Sequence, residues 1–93
     1  MSAEAKATFA IVNERGLHAR AAAKLVRLAG GFPCDITLSS PDEAGVSAKS
    51  VIGVLLLCGS KGTEIEVVAR GGLAHEAVAA IGALIRDRFG EDA

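Results

Sequence analysis

The sequence predicts an α+β domain in which a largely antiparallel sheet is covered by helices on one side. Three observations lead there. Apolar and polar residues alternate in several short runs, so each strand has one face to bury. Between these runs the apolar spacing lengthens to that of a helix. The 93 residues contain no linker, internal repeat or low-complexity segment, so residues 1–93 read as one domain. At that size the core must be well packed, and with 51% apolar residues the material for it is present.

Residues 6–13 alternate, with Ala7, Phe9 and Ile11 on one side and Lys6, Thr8 and Ala10 on the other, which predicts a strand. Asn13-Glu14-Arg15-Gly16 breaks that pattern. From Ala19 to Ala29 the period is helical, with Ala22, Leu25, Val26 and Ala29 on one face. Gly30-Gly31 ends this helix, as glycine does where a left-handed cap is needed. Residues 34–40 alternate again, with Cys34, Ile36 and Leu38 inward. Residues 41–45 form a turn, and Val46-Ser47-Ala48 is a short returning strand.

The run Val51–Leu57 is apolar on every side, so periodicity fits a buried strand or a short helix. Ser50 as an N-cap and Gly59 beyond the end favour the helix. Residues 63–70 make a strand with Ile65, Val67 and Ala69 inward. Gly71-Gly72 turns the chain into a last helix from Ala74 to Phe89, with Val78, Ile81, Ile85 and Phe89 on one stripe. The tail Gly90-Glu91-Asp92-Ala93 is expected to fray.

Composition excludes several functions. With three Phe, no Trp or Tyr and a net charge of −1, the chain lacks stacking residues and a basic surface for nucleic acid. It has no polybasic patch for membranes, no apolar run of roughly 18 residues for insertion, and no secretory signal pattern at its start. A cytoplasmic protein is expected. Cys34 and Cys58 form no CxxC and read as free thiols rather than a pair. No His/Cys spacing suits a metal, so neither a metal nor another cofactor is expected. GxSxG and GxxxxGK[ST] motifs are missing as well.

What remains is the stretch Gly16-Leu17-His18-Ala19-Arg20. Glycine allows a sharp turn, and the histidine follows at the mouth of an alanine-rich helix whose free N–H groups and positive dipole end favour an anion. A phosphoryl group on the His18 imidazole would meet the amides of Ala19 and Arg20 and the Arg20 guanidinium. The helix end and Arg20 both disfavour an imidazolium, which leaves the ring a nucleophile. Arg20, Lys24 and Arg27 share a narrow arc of the helix, readable as a solvated face or as a docking stripe for an acidic partner. The helix after Ser50 cannot bury every side chain, so some of Val51, Ile52 and Leu55 should form an exposed apolar patch. His75, beside Glu76, reads as a solvated helix residue.

The string Arg15-Gly16-Leu17-His18-Ala19-Arg20-Ala21-Ala22 resembles the active-site signature of the histidine-containing phosphocarrier (HPr) family of the bacterial phosphotransferase system. The resemblance extends to Gly31-Phe32, to Ala48-Lys49-Ser50-Val51-Ile52-Gly53-Val54 and to Lys61-Gly62-Thr63, and covers essentially the whole chain. It does not separate the HPr and NPr branches.

The resemblance implies an open-faced β-sandwich of four antiparallel strands and three helices. It implies phosphorylation of His18 at Nδ1 by enzyme I, contact of Arg20 with the phosphoryl group, and transfer to an enzyme IIA domain. A monomeric carrier with no turnover of its own is expected. Lys24, Arg27, Val51, Ile52 and Leu55 would meet these partners. Ser50 matches the serine modified by HPr kinase/phosphorylase in many bacteria, and a regulatory module acting through phosphorylation is the alternative. One residue departs from the family pattern: Ala21 stands where proline is usual. Alanine is an excellent helix former, so the helix is expected to survive with a less rigid junction.

Overall fold

The strands find their partners through the apolar faces that the alternation predicts. The structure, a computed structural model, describes residues 3–93. In chain order it contains β1 (Glu4–Ala10), α1 (Ala19–Gly30), β2 (Asp35–Ser39), β3 (Val46–Ser47), α2 (Val51–Leu56), β4 (Glu64–Arg70) and α3 (Ala74–Arg86). The strands form one sheet in the order β1-β4-β2-β3, with every pair antiparallel. The register puts Ala5 opposite Ala69 and Ala69 opposite Ile36; the next inward row is Ala7, Val67 and Leu38. Helix α3 lies over β1 and β4, and α1 packs against α2 and α3. The other face of the sheet, with Glu4, Lys6, Thr8, Glu64 and Arg70, stays in water.

Ala5, Ala7 and Ala69 make up half of these two rows, and their small side chains let the helices come close. At Gly82 of α3 a Cβ would lie 2.3 Å from the Phe9 ring, so glycine lets the helix settle on β1. Leu25, Val54, Leu57, Ile81, Ile85 and Phe89 fill the layer between helices and sheet and are fully buried. Burial of such side chains contributes roughly 1.5–3 kcal/mol each and dominates the stability.

Helix α2 is a helix, not a buried strand. Ser50 is its N-cap, and its hydroxyl accepts a hydrogen bond from the Gly53 N–H at 3.1 Å. Ser50→Ala is expected to lower stability by about 1 kcal/mol, read as an earlier midpoint in urea unfolding. A stable variant would mean that packing alone holds this turn.

Four expectations need correction. Neither Gly30 nor Gly31 is left-handed: α1 ends as the chain tightens, with the N–H groups of Gly31 and Phe32 reaching the carbonyls of Leu28 and Ala29 at 3.1 Å. The left-handed residue after α2 is Cys58 (φ 52°), not Gly59. Leu55 is half-buried against the core, while Leu56 is 52% exposed. Val54 and Leu57, three apart, point inward and set which side of this short helix is wet.

The fourth correction concerns the end of the chain. Helix α3 stops at Arg86, and Arg88 (φ 56°), Phe89 (φ 53°) and Gly90 (φ 77°) turn the backbone left-handed. Phe89 is buried as predicted, but by a chain reversal rather than by a continuing helix. Two non-glycine residues in that region cost about 1–2 kcal/mol each, which burial of the phenyl ring offsets. The reversed tail is docked, not frayed, since the Glu14 N–H donates to the Ala93 carbonyl at 3.1 Å. Cys34 is buried and Cys58 exposed, both as free thiols.

Candidate functional site

The loop before α1 is held from three directions. Asn13, completely buried, donates through its side-chain amide to the Gly16 carbonyl at 2.9 Å. The Gly16 N–H returns to the Asn13 carbonyl at 3.2 Å, closing a turn in which Gly16 takes φ 66°. The Leu17 N–H donates to the Gly59 carbonyl at 2.7 Å, which ties the loop to the segment just beyond α2. Only a residue without a side chain fits here, because a Cβ on Gly16 would lie 2.2 Å from that same carbonyl oxygen.

His18 follows as the N-cap of α1, with an extended backbone (φ −77°, ψ 176°). Its Nδ1 accepts a hydrogen bond from the Arg20 N–H at 3.3 Å. The first bond of the helix ladder runs from Ala22 N–H to the His18 carbonyl at 2.9 Å. The amides of Ala19, Arg20 and Ala21 therefore lie ahead of the ladder, at the positive end of the helix. Ala21 is fully buried, and the helix starts at Ala19 as expected without proline.

The second ring nitrogen, Nε2, meets a carboxylate oxygen of Glu91, 73 residues further along the chain. The other oxygen of Glu91 accepts from the Asn13 amide at 3.0 Å. The carboxylate thus bridges the histidine and the residue that shapes its loop. These contacts, the His18 hydrogen bond first and Asn13 second, hold the Glu91 carboxyl below the usual carboxylate range, so it is ionised at neutral pH. The side chains of His18 and Glu91 are 24% and 16% exposed. The histidine is reachable but largely covered.

Beside it lies a cleft of roughly 400 Å³, with Arg15, Arg20 and Lys24 facing Glu14, Glu91 and Asp92. The acidic tail lies along the start of the basic stripe. Lys24 is accordingly not a free surface cation, because its ammonium donates to the Phe89 carbonyl at 2.6 Å. Arg20 and Arg27 stay exposed. On α2, Val51 and Ile52 are 37% and 69% exposed; with Leu56, and with Val12 on the loop before His18, they are the apolar side chains most open to water near the site. Leu55 is not part of that exposed set. His75 is exposed on α3. Among the described residues no cluster of His, Cys, Asp and Glu could hold a metal ion, and no helix is long and apolar enough to cross a membrane.

Sequence reading missed Asn13, Glu91, Leu56 and Val12. Asn13 looked like the end of a strand, and its offset from Gly16 was the available sign of a side-chain-supported turn. For Glu91 the sign was weaker: an acidic tail in a chain with a basic helix stripe.

A family model described as the PTS HPr component phosphorylation site matches residues 5–87. The phosphocarrier protein HPr of Pseudomonas aeruginosa is 42% identical over 81 residues, covering 87% of this chain and 90% of that protein. The phosphocarrier protein NPr of Escherichia coli K12 is 42% identical over 87 residues, covering 94% and 97%. Among solved structures, HPr from Thermoanaerobacter tengcongensis superposes with a TM-score of 0.89 at 37% identity, covering 96% of this chain and 99% of that one. HPr from Bacillus anthracis gives 0.83 at 32% identity, covering 89% and 98%.

Proposed function

Because this chain belongs to the HPr family of phosphocarrier proteins of the phosphotransferase system, we propose that His18 takes a phosphoryl group from phosphorylated enzyme I and passes it to an enzyme IIA domain. Such a carrier is a substrate of other enzymes rather than a catalyst. The observation that carries the reading is the position of His18 Nδ1, at the N-terminus of a 12-residue helix and facing the Arg20 N–H.

The Nδ1 lone pair forms the new N–P bond while the donor's N–P bond breaks, its electron pair returning to the donor nitrogen. The Arg20 N–H that was bonded to Nδ1 is then free to meet a phosphoryl oxygen, together with the Ala19 amide and the Arg20 guanidinium. Ala21 adds an amide hydrogen that proline would lack, at the same end of the helix. Little covalent work falls to the carrier: positioning and charge stabilisation suffice.

Partners would dock on Val51, Ile52 and Leu56, with Val12 at the edge and Arg27 contributing charge. This patch borders the site because the His18 loop is bonded to Gly59, just past α2. A second, regulatory reading attaches to Ser50, whose hydroxyl sits at the N-cap next to exposed Val51 and Ile52. A phosphate there would put negative charge beside an apolar docking patch and weaken it.

The carrier reading is tested with enzyme I, phosphoenolpyruvate and this protein. One phosphate per chain is expected, labile in acid, stable in alkali, located on His18 by mass spectrometry, and chased onto an enzyme IIA domain when one is added. Absence of label, or label on another residue, overturns the proposal.

A further inference from the structure

The two ring nitrogens of His18 face opposite demands. Nδ1 lies 3.3 Å from the Arg20 N–H, a donor, so this nitrogen must carry the lone pair. Nε2 faces an oxygen of Glu91, and an ionised carboxylate only accepts, so this nitrogen must carry the hydrogen. We propose that Glu91 is a positioning residue of the phosphoryl site: it anchors the Nε2 hydrogen of His18 and so leaves Nδ1 as the nitrogen that carries the lone pair of the ring. This rests on the carrier reading for its consequence, but not for its geometry.

Glu91 is built into place. Its two oxygens are divided between Asn13 and His18, and Asn13 also shapes the loop through Gly16. Buried Phe89, the left-handed turn over Arg88–Gly90, and the Lys24 bond to the Phe89 carbonyl deliver the tail to this spot. A carboxylate held on both oxygens fixes the plane of the imidazole as well as its tautomer, as carboxylates do for histidines that bind metals. A ring free to rotate would lose the aim of Nδ1 along the helix N-terminus, and small misplacements of a reacting atom cost up to about 100-fold in rate.

The same contact acts after transfer. With the phosphoryl group on Nδ1 the ring keeps the Nε2 hydrogen it already carried, and that N–H still donates to the Glu91 carboxylate. The proton stays on His18 throughout, so the carrier needs no separate acid or base when the group leaves.

The test compares the wild-type protein with Glu91→Ala and Glu91→Gln, all three first checked for unchanged circular dichroism. In 15N-edited spectra of the unphosphorylated wild type, a slowly exchanging Nε2–H signal and an acceptor-type Nδ1 shift are expected. In Glu91→Ala the ring N–H signal should broaden into solvent exchange, and phosphoryl uptake from enzyme I should slow about tenfold. In Glu91→Gln, whose side-chain oxygen still accepts, the N–H signal should return and uptake should recover in part. A ring spectrum indifferent to both substitutions, or uptake by Glu91→Ala equal to wild type, overturns the assignment. A wild-type protein that takes no label at all overturns the carrier reading instead, while the spectra still decide whether Glu91 holds the ring.

Discussion

His18→Ala is expected to abolish phosphoryl uptake completely while leaving the protein folded. The loss is all-or-none because the loop offers no substitute nucleophile: Leu17, Ala19 and Arg20 flank the site, and His75 is exposed inside the first turn of a different helix, past the N-cap Leu73 rather than at the cap position that His18 occupies. The cost in stability should be small, about 1 kcal/mol or less. As an N-cap His18 makes one long hydrogen bond, 3.3 Å from Nδ1 to the Arg20 N–H, so the loss falls near the low end of N-cap substitutions. Glu91, which loses its contact with the ring, is still held by the Asn13 amide. Label incorporation and urea unfolding on the same preparation separate the two effects. Label that survives in this variant would place the acceptor elsewhere, and a collapse of stability would make His18 a structural residue.

Gly16→Ala should be the most damaging single methyl group in the loop. Alanine at φ 66° costs about 1–2 kcal/mol, and its Cβ would start 2.2 Å from the Gly59 carbonyl oxygen. Relief of that overlap costs about another 1–3 kcal/mol. It also pulls on the 2.7 Å bond from Leu17 to the same carbonyl, the bond that locates His18 relative to α2. We expect a loss of about 2–5 kcal/mol in urea unfolding, and uptake reduced by up to about 100-fold in the fraction that stays folded. Gly45→Ala is the matched control. Gly45 has φ 68° but nothing within 4 Å of its would-be Cβ, so only the backbone term applies and uptake should be unchanged. Equal damage from both substitutions would show that strain alone, and not the contact with Gly59, accounts for the loss.

The chain itself determined which side of each strand is buried, where α1 and α2 begin, and that His18 caps a helix. Those features depend on neighbours a few residues away: alternation sets a strand's faces, the 3.6-residue period sets a helix's stripe, and Ser50 caps α2 through the Gly53 N–H only three residues on. Phe89 shows the limit of such patterns. It continues the apolar stripe of Ile81 and Ile85 and is buried like them, yet the backbone reaches it by a left-handed reversal that the stripe cannot distinguish from another helical turn.

Tertiary structure alone decided how the site is closed. The register of β1 against β4 and the path after α3 bring Glu91 to a histidine 73 residues away. The same closure sets Gly16 against Gly59 and takes Lys24 from the docking stripe to cap the Phe89 carbonyl. Each of these joins segments that share no local period, so their meeting depends on how the sheet pairs and the layers pack. His18 could thus be found from its neighbours in sequence, whereas the partner that holds its ring could be found only from its neighbours in space.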